Sequence, residues 1–316
     1  MKLPDFFIIG AAKAGTTSVH AVLSQHPQVF MPKNKEPEFF ARDDRYGDGL
    51  ASYATNFSEA RTDQLVGEAS TIYSLSPFFP NTAARIVSAR PDAKIIYILR
   101  EPVSRAYSFY LQLIKSYQRA TKDTQIHRRF EDFVLPDRHA MASPRNLCFS
   151  PANAHLPDAP ELCLAGSDYV MQIERYLEYF DRSQMLFLLF EDLARAPNRF
   201  YQEITDFLGI APMEPGISEK KVVPQNVSQQ GFQKIEFYLA IAELRDRMGL
   251  AWSLRKALPK NVRTVARAWL LQQSADKISN SPPPMLPETR KQLEARFYVQ
   301  TAELSTITKL DLSAWK

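Results

Sequence analysis

FFIIGAAKAGTTS, at residues 6–18, is the stretch of sequence that decides the fold. Its first part, Phe6–Ile9, is a continuous apolar run, as expected for a parallel strand that is covered on both faces. Small residues follow. Thr17–Gln25 then carries its apolar side chains on one helical face, and Pro27 lies just beyond it. The stretch therefore predicts a buried strand, a tight loop and the start of a helix.

Apolar runs of strand length alternate with helical patterns farther along the chain. Two more runs, Lys94–Leu99 and Met185–Phe190, have the length and character of core strands. Helices are expected over Ser104–Ile114 and Asn198–Leu208, the second of which ends at a glycine. This βαβα order predicts an α/β fold of the P-loop-like class, with a central parallel sheet flanked by helices and with C-terminal helical additions.

We expect a single domain over residues 1–316. In this layout residues 1–215 form the α/β core that holds the ligand site, and residues 216–316 form a helical part that packs on the core. The last helix is predicted over Glu288–Leu304, after a Pro-rich break. The irregular, Pro-rich stretch Ala140–Ser167 is predicted to be an inserted loop.

Composition and charge exclude several classes of protein. The chain is 45% hydrophobic and 23% charged, with a net charge of +4, which is typical of a globular protein and too mild for a nucleic-acid binder. We expect no transmembrane segment and no signal peptide, and hence a cytoplasmic protein. Cys148 and Cys163 fit no metal-ligand spacing. They form a local disulfide if the protein is exported, but free thiols are favoured in the cytoplasm.

The loop after the first strand combines small residues with polar ones. Small residues let the backbone approach a phosphate closely, and the N–H groups of the following helix point at it. The loop also supplies one positive charge and three hydroxyl donors. We expect a phosphorylated nucleotide to be held by Lys13, Ala14, Gly15, Thr16, Thr17 and Ser18.

The position of Lys13 distinguishes this loop from the common nucleoside-triphosphate loop. There the lysine directly follows the last glycine, and the next Ser or Thr holds magnesium. Here Lys13 precedes Gly15, and Thr16 occupies the usual lysine position. This displacement argues against ordinary ATP or GTP hydrolysis. A P-loop nucleotide kinase or other phosphotransferase stays as an alternative.

A second polar cluster, REPVSRAYS at residues 100–108, follows the second core strand. Arg100 stands at the carboxyl end of the strand, and Arg105 and Ser108 lie in the first turns of the next helix. A guanidinium and a hydroxyl beside a helix N-terminus form an anion site. Since ligands sit at the carboxyl ends of parallel strands, the two clusters predict phosphates at both the 5′ and 3′ positions of one nucleotide.

Together these motifs make the sequence similar to the sulfotransferases that use 3′-phosphoadenosine 5′-phosphosulfate (PAPS). Family members carry a 5′-phosphosulfate loop like KAGTTS and a 3′-phosphate motif R-x-P-x-x-R-x-x-S, here residues 13–18 and 100–108. The resemblance covers most of the chain. It implies that the first motif holds the 5′ phosphosulfate and that Arg100 and Ser108 hold the 3′ phosphate. Arg105 either assists them or buttresses the sheet edge.

The stretch KNKEPEFF at residues 33–40 resembles the carbohydrate sulfotransferases of heparan sulfate modification. In that branch a Glu three residues before a Phe-Phe pair acts as the catalytic base, and Glu36 occupies this place. A base is needed because the acceptor loses a proton as it attacks sulfur. Lys13 suits the stabilisation of the departing phosphate. Glu38 points to the same side of an extended stretch, so Glu38 or a histidine stays an alternative base.

The resemblance also indicates residues that would contact the acceptor. Carbohydrate relatives often carry a Lys where this chain has Ala69, which leaves the set of positive groups at the sulfuryl centre open. No metal is expected at the site. The predicted substrate-binding residues are Lys33, Lys35, Glu38, Glu68 and Ser70.

The sequence as a whole predicts an enzyme that transfers a sulfuryl group from PAPS to an acceptor and releases adenosine 3′,5′-bisphosphate. The acceptor group is a hydroxyl or an amine, and its carrier is a small molecule such as a secondary metabolite, or a saccharide. Acceptor loops vary freely on a shared fold, so the sequence specifies neither the acceptor nor the oligomeric state. A non-catalytic nucleotide-binding protein on the same fold is the second alternative.

Overall fold

The structure is a computed structural model, and it describes residues 1–121, 129–135, 159–214 and 284–315. In these ranges a five-stranded sheet has the order β2-β3-β1-β4-β5, and all neighbouring strands are parallel. The central parallel sheet predicted from the sequence is thus confirmed. The strands are β1 (Phe6–Gly10), β2 (Val29–Phe30), β3 (Leu65–Ala69), β4 (Lys94–Leu99) and β5 (Met185–Leu189).

Helices flank this sheet. Every residue of β1 is buried, and β4 is buried except for the half-buried Lys94. Because side chains alternate between the two faces of a strand, this burial means that both faces of the sheet are covered at its centre. The described α-helices are α1 (Thr16–Leu23), α2 (Asp43–Gly47), α3 (Gly49–Ala54), α4 (Thr82–Ala89), α5 (Pro102–Thr121), α6 (Phe130–Val134), α7 (Ala159–Ala165), α8 (Tyr169–Leu177), α9 (Phe190–Arg195), α10 (Pro197–Leu208), α11 (Pro287–Phe297) and α12 (Thr301–Thr308).

Strand β1 marks the point at which the chain reverses its direction across the sheet. From β1 the chain runs to β2 on one side, whereas from β4 it runs to β5 on the other side. Ligands of open parallel sheets bind at the carboxyl ends of the strands beside such a point. The place to examine is therefore the edge where Gly10 ends β1 and Arg100 follows β4.

Strands β2 and β3 are the two strands of the sheet that the sequence patterns miss. Strand β3 reads LVGEA, so a glycine and a charged residue interrupt its apolar run. Gly67 is required there because a Cβ at this position would lie 2.2 Å from the Phe6 ring and 2.5 Å from the sulfur of Met31. Its missing side chain lets β3 pair closely with β1.

The predicted strand ends lie within one residue of the observed ones, and α1, α5 and α10 occur where helices are expected. The structure corrects the prediction for the last helix. The helix predicted over Glu288–Leu304 is in fact α11 and α12, which are separated by the 3₁₀ turn Tyr298–Gln300. Phe297, Tyr298, Val299 and Thr301 are aromatic or β-branched residues with lower helix propensity than Ala, Leu or Glu, which favours a break at this point.

The chain forms two compact units. The first, which contains the sheet, comprises Met1–Phe109, Glu161–Gln225 and Pro287–Lys316, and the second comprises Tyr110–Pro160 and Asn226–Leu286. The predicted division into residues 1–215 and 216–316 stays a prediction, since residues 215–283 lie outside the described ranges.

The loop predicted over residues 140–167 is only partly described. Its described part contains helix α7, where the sequence predicts no helix. Cys163 lies on this helix; it is buried, and its Sγ donates a hydrogen bond to the Ala106 carbonyl at 3.0 Å. Cys148, with which Cys163 would form the alternative disulfide, lies outside the described residues. None of the helices described is both long and apolar enough to cross a membrane.

Candidate functional site

The loop between β1 and α1 turns the chain sharply at the carboxyl end of the central strand. Gly15 directly precedes α1 with a φ of 82°, and Lys13 also has a positive φ, of 75°. The Gly15 carbonyl accepts the amide of Ser18 at 2.9 Å. The amides of Thr16 and Thr17 lie in the first turn, where the helix itself offers no acceptor. The loop therefore presents backbone donors of the kind that bind anions.

The side chains of the predicted phosphate loop differ in exposure. Ala14 and Thr16 are buried, Lys13 and Ser18 are half-buried, and Thr17 is exposed. A ligand that approaches from solvent can therefore reach Lys13, Thr17 and Ser18 through their side chains. The contribution of Thr16 would come through its backbone amide.

Gly15→Ala is expected to damage this loop more than an ordinary Gly→Ala exchange. A positive φ is unfavourable for a residue with a Cβ, and this Cβ would lie 2.8 Å from Cδ2 of Leu193 and 3.1 Å from the Phe190 ring. We expect the free energy of unfolding to fall by about 2–4 kcal/mol. Urea denaturation measures this loss, and calorimetry would show weaker nucleotide binding.

Gly49 offers the matched control. It has the same φ of 82°, but a Cβ there would meet no atom within 4 Å. Gly49→Ala should therefore cost only the backbone term, about 1–2 kcal/mol, and should leave nucleotide binding unchanged. Equal losses of stability in the two variants would show that the close approach of α9 to Gly15 is unimportant.

Arg100 joins the second motif to the first. Its Nη1 donates a hydrogen bond to the Lys13 carbonyl at 2.8 Å, and its guanidinium lies 4.6 Å from the centre of the Phe190 ring. Burial lowers the pKa of Arg100, against the opposing influence of Glu191. Arginine stays charged despite such a shift. The structure thus places a partly desolvated positive charge directly on the loop after β1.

The backbone of Arg100 is held by Tyr169, the first residue of α8. The Tyr169 hydroxyl donates to the Arg100 carbonyl at 2.7 Å and accepts its amide at 3.2 Å. The ring of Trp315 lies against Tyr169, with 6.0 Å between ring centres. The 3₁₀ turn Ser313–Trp315 near the end of the chain therefore supports the strand end that carries Arg100.

Arg105 and Ser108 have different surroundings although they belong to one motif. Arg105 is 1% exposed, and its Nε donates to Ser167 Oγ at 2.6 Å while its Nη2 donates to the Cys163 carbonyl. These contacts favour the buttressing role for Arg105 over assistance at a phosphate. Ser108 lies on α5 and is 7% exposed. Its role at the 3′ phosphate stays a prediction.

Two carboxylates that the sequence patterns do not single out shape the start of α5. Glu101 accepts the amides of Val103 at 2.9 Å and Ser104 at 2.8 Å, so it caps the helix. Oε1 of Glu191 accepts the Glu101 amide at 2.9 Å. An acidic residue followed by a helix start is the signal that could have identified this cap.

Glu36 is held at the carboxyl end of β3, beside the central strand. Its amide donates to the Ala69 carbonyl at 3.0 Å, and its Oε2 accepts the hydroxyl of Thr71 at 3.1 Å. Its Oε1 accepts Nζ of Lys35, so a cation adjoins the predicted base. The φ of Glu36 is 64°. This conformation is uncommon for a non-glycine residue and needs support from its surroundings.

Glu38, the alternative base, faces a different group. Its Oε2 lies 3.4 Å from Nη1 of Arg42. Burial raises the pKa of Glu38, and the charge of Glu36 adds to the rise. Lys33, a predicted substrate residue, is exposed and pairs with Glu59 at 3.1 Å. Neither contact tests the predicted roles of Glu38 and Lys33, which stay predictions.

His20 lies near the candidate base Glu36, since the charge of Glu36 acts on its ring. Its Nε2 lies 3.1 Å from the Pro32 carbonyl. Burial lowers the pKa of His20, and the charges of Lys35 and Glu36 both act on it. His20 lies on α1, one turn after the phosphate loop. This common helix brings the loop and the Glu36 segment together. His127, His139 and His155 lie outside the described residues.

Glu68 and Ser70 lie in the core beneath the Glu36 segment. Both side chains are 0% exposed, and Ser70 Oγ donates to Glu68 Oε1 at 2.6 Å. Oε2 of Glu68 accepts the hydroxyls of Tyr53 and Tyr73. Burial raises the pKa of Glu68 to about 7. Such burial argues against the predicted contact of Glu68 and Ser70 with an acceptor.

Sheet order and the glycine loop after the central strand define an α/β protein of the P-loop-like class. Among the described residues, no group of three His, Cys, Asp or Glu side chains is arranged to hold a metal ion. A family model described as "Sulfotransferase domain" matches residues 3–237, which is more than half of the chain. The chain therefore belongs to the sulfotransferase-domain family.

Relatives in animals and in a slime mould agree with this membership. The chain is 32% identical over 216 residues to bifunctional heparan sulfate N-deacetylase/N-sulfotransferase 4 of Mus musculus, covering 66% of this chain and 23% of that protein. It is 34% identical over 220 residues to the type 3 enzyme of Homo sapiens, covering 67% and 23%. The membrane-associated sulfotransferase kil1 of Dictyostelium discoideum is 27% identical over 301 residues, covering 75% and 62%.

This chain thus spans less than a quarter of the length of the mouse and human relatives. A solved structure matches it end to end. The crystal structure of a sulfotransferase from Alicyclobacillus acidocaldarius is 26% identical, with a TM-score of 0.63 over 100% of this chain and 99% of that one. These findings do not support the nucleotide-kinase alternative.

Proposed function

We propose that the protein transfers a sulfuryl group from PAPS to an acceptor hydroxyl or amine and releases adenosine 3′,5′-bisphosphate. The observation that carries this proposal is the hydrogen bond from Arg100 to the Lys13 carbonyl. It joins the two anion-binding motifs at the carboxyl ends of adjacent strands. One nucleotide with phosphates at two positions accounts for both motifs in a way that a single polyphosphate chain does not.

In the proposed site the loop after β1 holds the 5′ phosphosulfate, and Arg100 with Ser108 holds the 3′ phosphate. The amides of the first turn of α1 are oriented donors whose dipoles favour negative charge. Arg100 contributes a positive charge that is already partly desolvated by burial. Such a charge binds an anion more strongly than an exposed one would.

The proposed transfer is in line and direct. A bond forms between the acceptor oxygen or nitrogen and sulfur, while the bond from sulfur to the bridging phosphate oxygen breaks and its electron pair stays on the phosphate. Glu36 takes the acceptor proton. Lys13 stabilises the charge that develops on the departing phosphate. Lys35 is in contact with the Glu36 carboxylate and adds a second cation beside the reacting groups.

For the acceptor we propose a saccharide or a secondary metabolite. Support comes from the resemblance of residues 33–40 to the carbohydrate branch, and from relatives whose names describe heparan sulfate N-sulfotransferases. We further propose that the reaction needs no metal, because Lys13 and Arg100 supply the positive charge, and that the protein is cytoplasmic.

Isothermal titration of the purified protein with two nucleotides tests the donor site. We expect adenosine 3′,5′-bisphosphate to bind in the presence of EDTA, and Mg–ATP to bind at least 10²-fold more weakly. Adenosine 3′,5′-bisphosphate carries one phosphate at each position, whereas ATP carries three phosphates at the 5′ position and a free 3′ hydroxyl, so only the first ligand can occupy the proposed 3′-phosphate site. Tighter binding of Mg–ATP that depends on magnesium would overturn the proposal in favour of a phosphotransferase.

A further inference from the structure

We propose that Glu68 is a positioning residue that holds the catalytic segment Glu36–Phe40 in place through Ser70 and Tyr73. This inference rests on the proposed role of Glu36 as the base. Glu68 lies near the carboxyl end of β3, the strand against which the segment is anchored. It is 0% exposed, and its carboxylate oxygens accept hydrogen bonds from Ser70, Tyr53 and Tyr73, so it would act through these neighbours.

The first connection runs through Ser70. The amide of Glu38 donates to Ser70 Oγ at 3.1 Å, and the Ser70 hydroxyl in turn donates to Glu68 Oε1 at 2.6 Å. Ser70 and Glu68 are both 0% exposed. No water competes for these groups at such burial, so each partner depends on the other for its hydrogen bond.

The second connection runs through Tyr73 and has the same form. The amide of Phe40 donates to the Tyr73 hydroxyl at 3.2 Å, and that hydroxyl donates to Glu68 Oε2 at 3.1 Å. Tyr73 is 1% exposed and Phe40 is 0% exposed. Two amides of the segment, two residues apart, are thus linked to the two oxygens of one carboxylate.

The ionised carboxylate sets the direction of both connections. It accepts hydrogen bonds and donates none, so the Ser70 and Tyr73 hydroxyls must point their protons at it. Their lone pairs then face the Glu38 and Phe40 amides. A side chain that donates a hydrogen bond from this position would reverse the direction of the Ser70 or the Tyr73 hydroxyl. The amide of Glu38 or Phe40 would then lose its acceptor.

The segment needs this support because its backbone is unfavourable. Glu36 and Glu38 both have a positive φ, of 64° and 58°. Non-glycine residues in this conformation cost free energy and persist only when surrounding contacts fix them. The anchors alternate along the segment, since the Glu36 amide is bound by the Ala69 carbonyl and the Glu38 amide by Ser70. The position of Glu36 therefore depends on the buried residues Glu68, Ser70 and Tyr73, which we call the platform.

Tyr53 and Tyr73 provide a matched pair for the test. Both hydroxyls donate to Oε2 of Glu68, and both rings are buried. Only Tyr73 also accepts an amide of the segment. Tyr53 reaches the segment through its ring alone, which stacks on Phe39 with 4.3 Å between ring centres. Tyr→Phe at either position removes one hydroxyl from the same carboxylate, but only at position 73 does it break a connection.

Hydrogen–deuterium exchange on the full-length protein measures positioning without any acceptor. At pH 8.5, above the pKa of Glu68 of about 7, we expect Tyr73→Phe and Glu68→Gln to speed exchange in the peptide over Glu36–Ala41 about tenfold. Tyr53→Phe should leave that peptide unchanged, and a peptide over β1 should be unchanged in all three variants. Equal acceleration in Tyr53→Phe and Tyr73→Phe would overturn the proposal, because a merely structural network predicts it.

Kinetics then separate this inference from the proposed function. With saccharides, phenols and amines supplied as acceptors of the sulfuryl group, release of adenosine 3′,5′-bisphosphate from PAPS should fall on the order of 10²-fold in kcat for Tyr73→Phe and Glu68→Gln. The KM for PAPS should be unchanged, and Tyr53→Phe should retain the rate. A normal kcat in Tyr73→Phe together with an inactive Glu36→Gln would refute the positioning role alone. Accelerated exchange with an active Glu36→Gln would refute the base and leave the platform standing.

Discussion

Glu36→Gln is expected to lower kcat by about 10²–10⁴-fold, the usual contribution of a general base. Gln keeps the size and most contacts of Glu, but it cannot accept a proton from the acceptor. Its amide can still accept the Thr71 hydroxyl, which in the wild-type chain bonds Oε2 at 3.1 Å. The affinity for adenosine 3′,5′-bisphosphate should therefore stay within about twofold of wild type. Turnover and calorimetric titration on one preparation measure both quantities.

Glu38→Gln is the control for this variant. The Glu38 carboxylate faces Arg42 at 3.4 Å, whereas that of Glu36 adjoins Lys35 and Thr71. We expect Glu38→Gln to keep most of the activity. Near-normal turnover in Glu36→Gln with a large loss in Glu38→Gln would move the role of base to Glu38. If both Glu36→Gln and Glu38→Gln stay active, His20 becomes the candidate base, since the charges of Lys35 and Glu36 act on its ring.

Arg100→Ala is expected to weaken binding of adenosine 3′,5′-bisphosphate by roughly 10²-fold, or about 3 kcal/mol. The variant removes a half-buried, charged donor from the proposed 3′-phosphate site. It also removes the contact with the Lys13 carbonyl, by which Arg100 supports the loop after β1. Calorimetry with adenosine 3′,5′-bisphosphate and with adenosine 5′-monophosphate separates the two effects.

The nucleotide that lacks the 3′ phosphate should lose far less affinity, because only the support of the loop is gone. Arg175→Ala serves as the matched control, since Arg175 lies on α8 and pairs with Glu178 at the surface. It should bind both nucleotides like the wild type. Equal losses for the two nucleotides in Arg100→Ala would show that Arg100 acts on the loop and not on a 3′ phosphate.

Much of the nucleotide side of the fold could be predicted from the sequence. Phe6–Ile9 and Ile95–Leu99 are continuous apolar runs because both faces of the sheet are covered there, and that pattern can be recognised without a structure. Their carboxyl ends meet because the strands are neighbours. The sequence therefore predicts that the two motifs lie at the same edge of the sheet, and in the structure Arg100 donates a hydrogen bond to the Lys13 carbonyl.

The platform under Glu36 could not be predicted in the same way. Strand β3 contains Gly67 and the buried Glu68, which break the apolar run that identifies a core strand. Their reasons are tertiary: close approach to Phe6 in one case and a network of hydroxyls in the other. Sequence spacing also treated Glu36 and Glu38 as equivalent, because an extended stretch was assumed. The positive φ at both residues removes that assumption.

Transfer itself tests the central claim most directly. The purified protein would be incubated with isotopically labelled PAPS and a panel of saccharides, phenols and amines. Mass spectrometry would then detect labelled sulfate on the acceptors. We predict that an acceptor gains the labelled sulfate in an amount equal to the adenosine 3′,5′-bisphosphate released, and that Glu36→Gln abolishes both. A protein that binds adenosine 3′,5′-bisphosphate normally but labels no acceptor in the panel would contradict the account and indicate a non-catalytic nucleotide-binding protein.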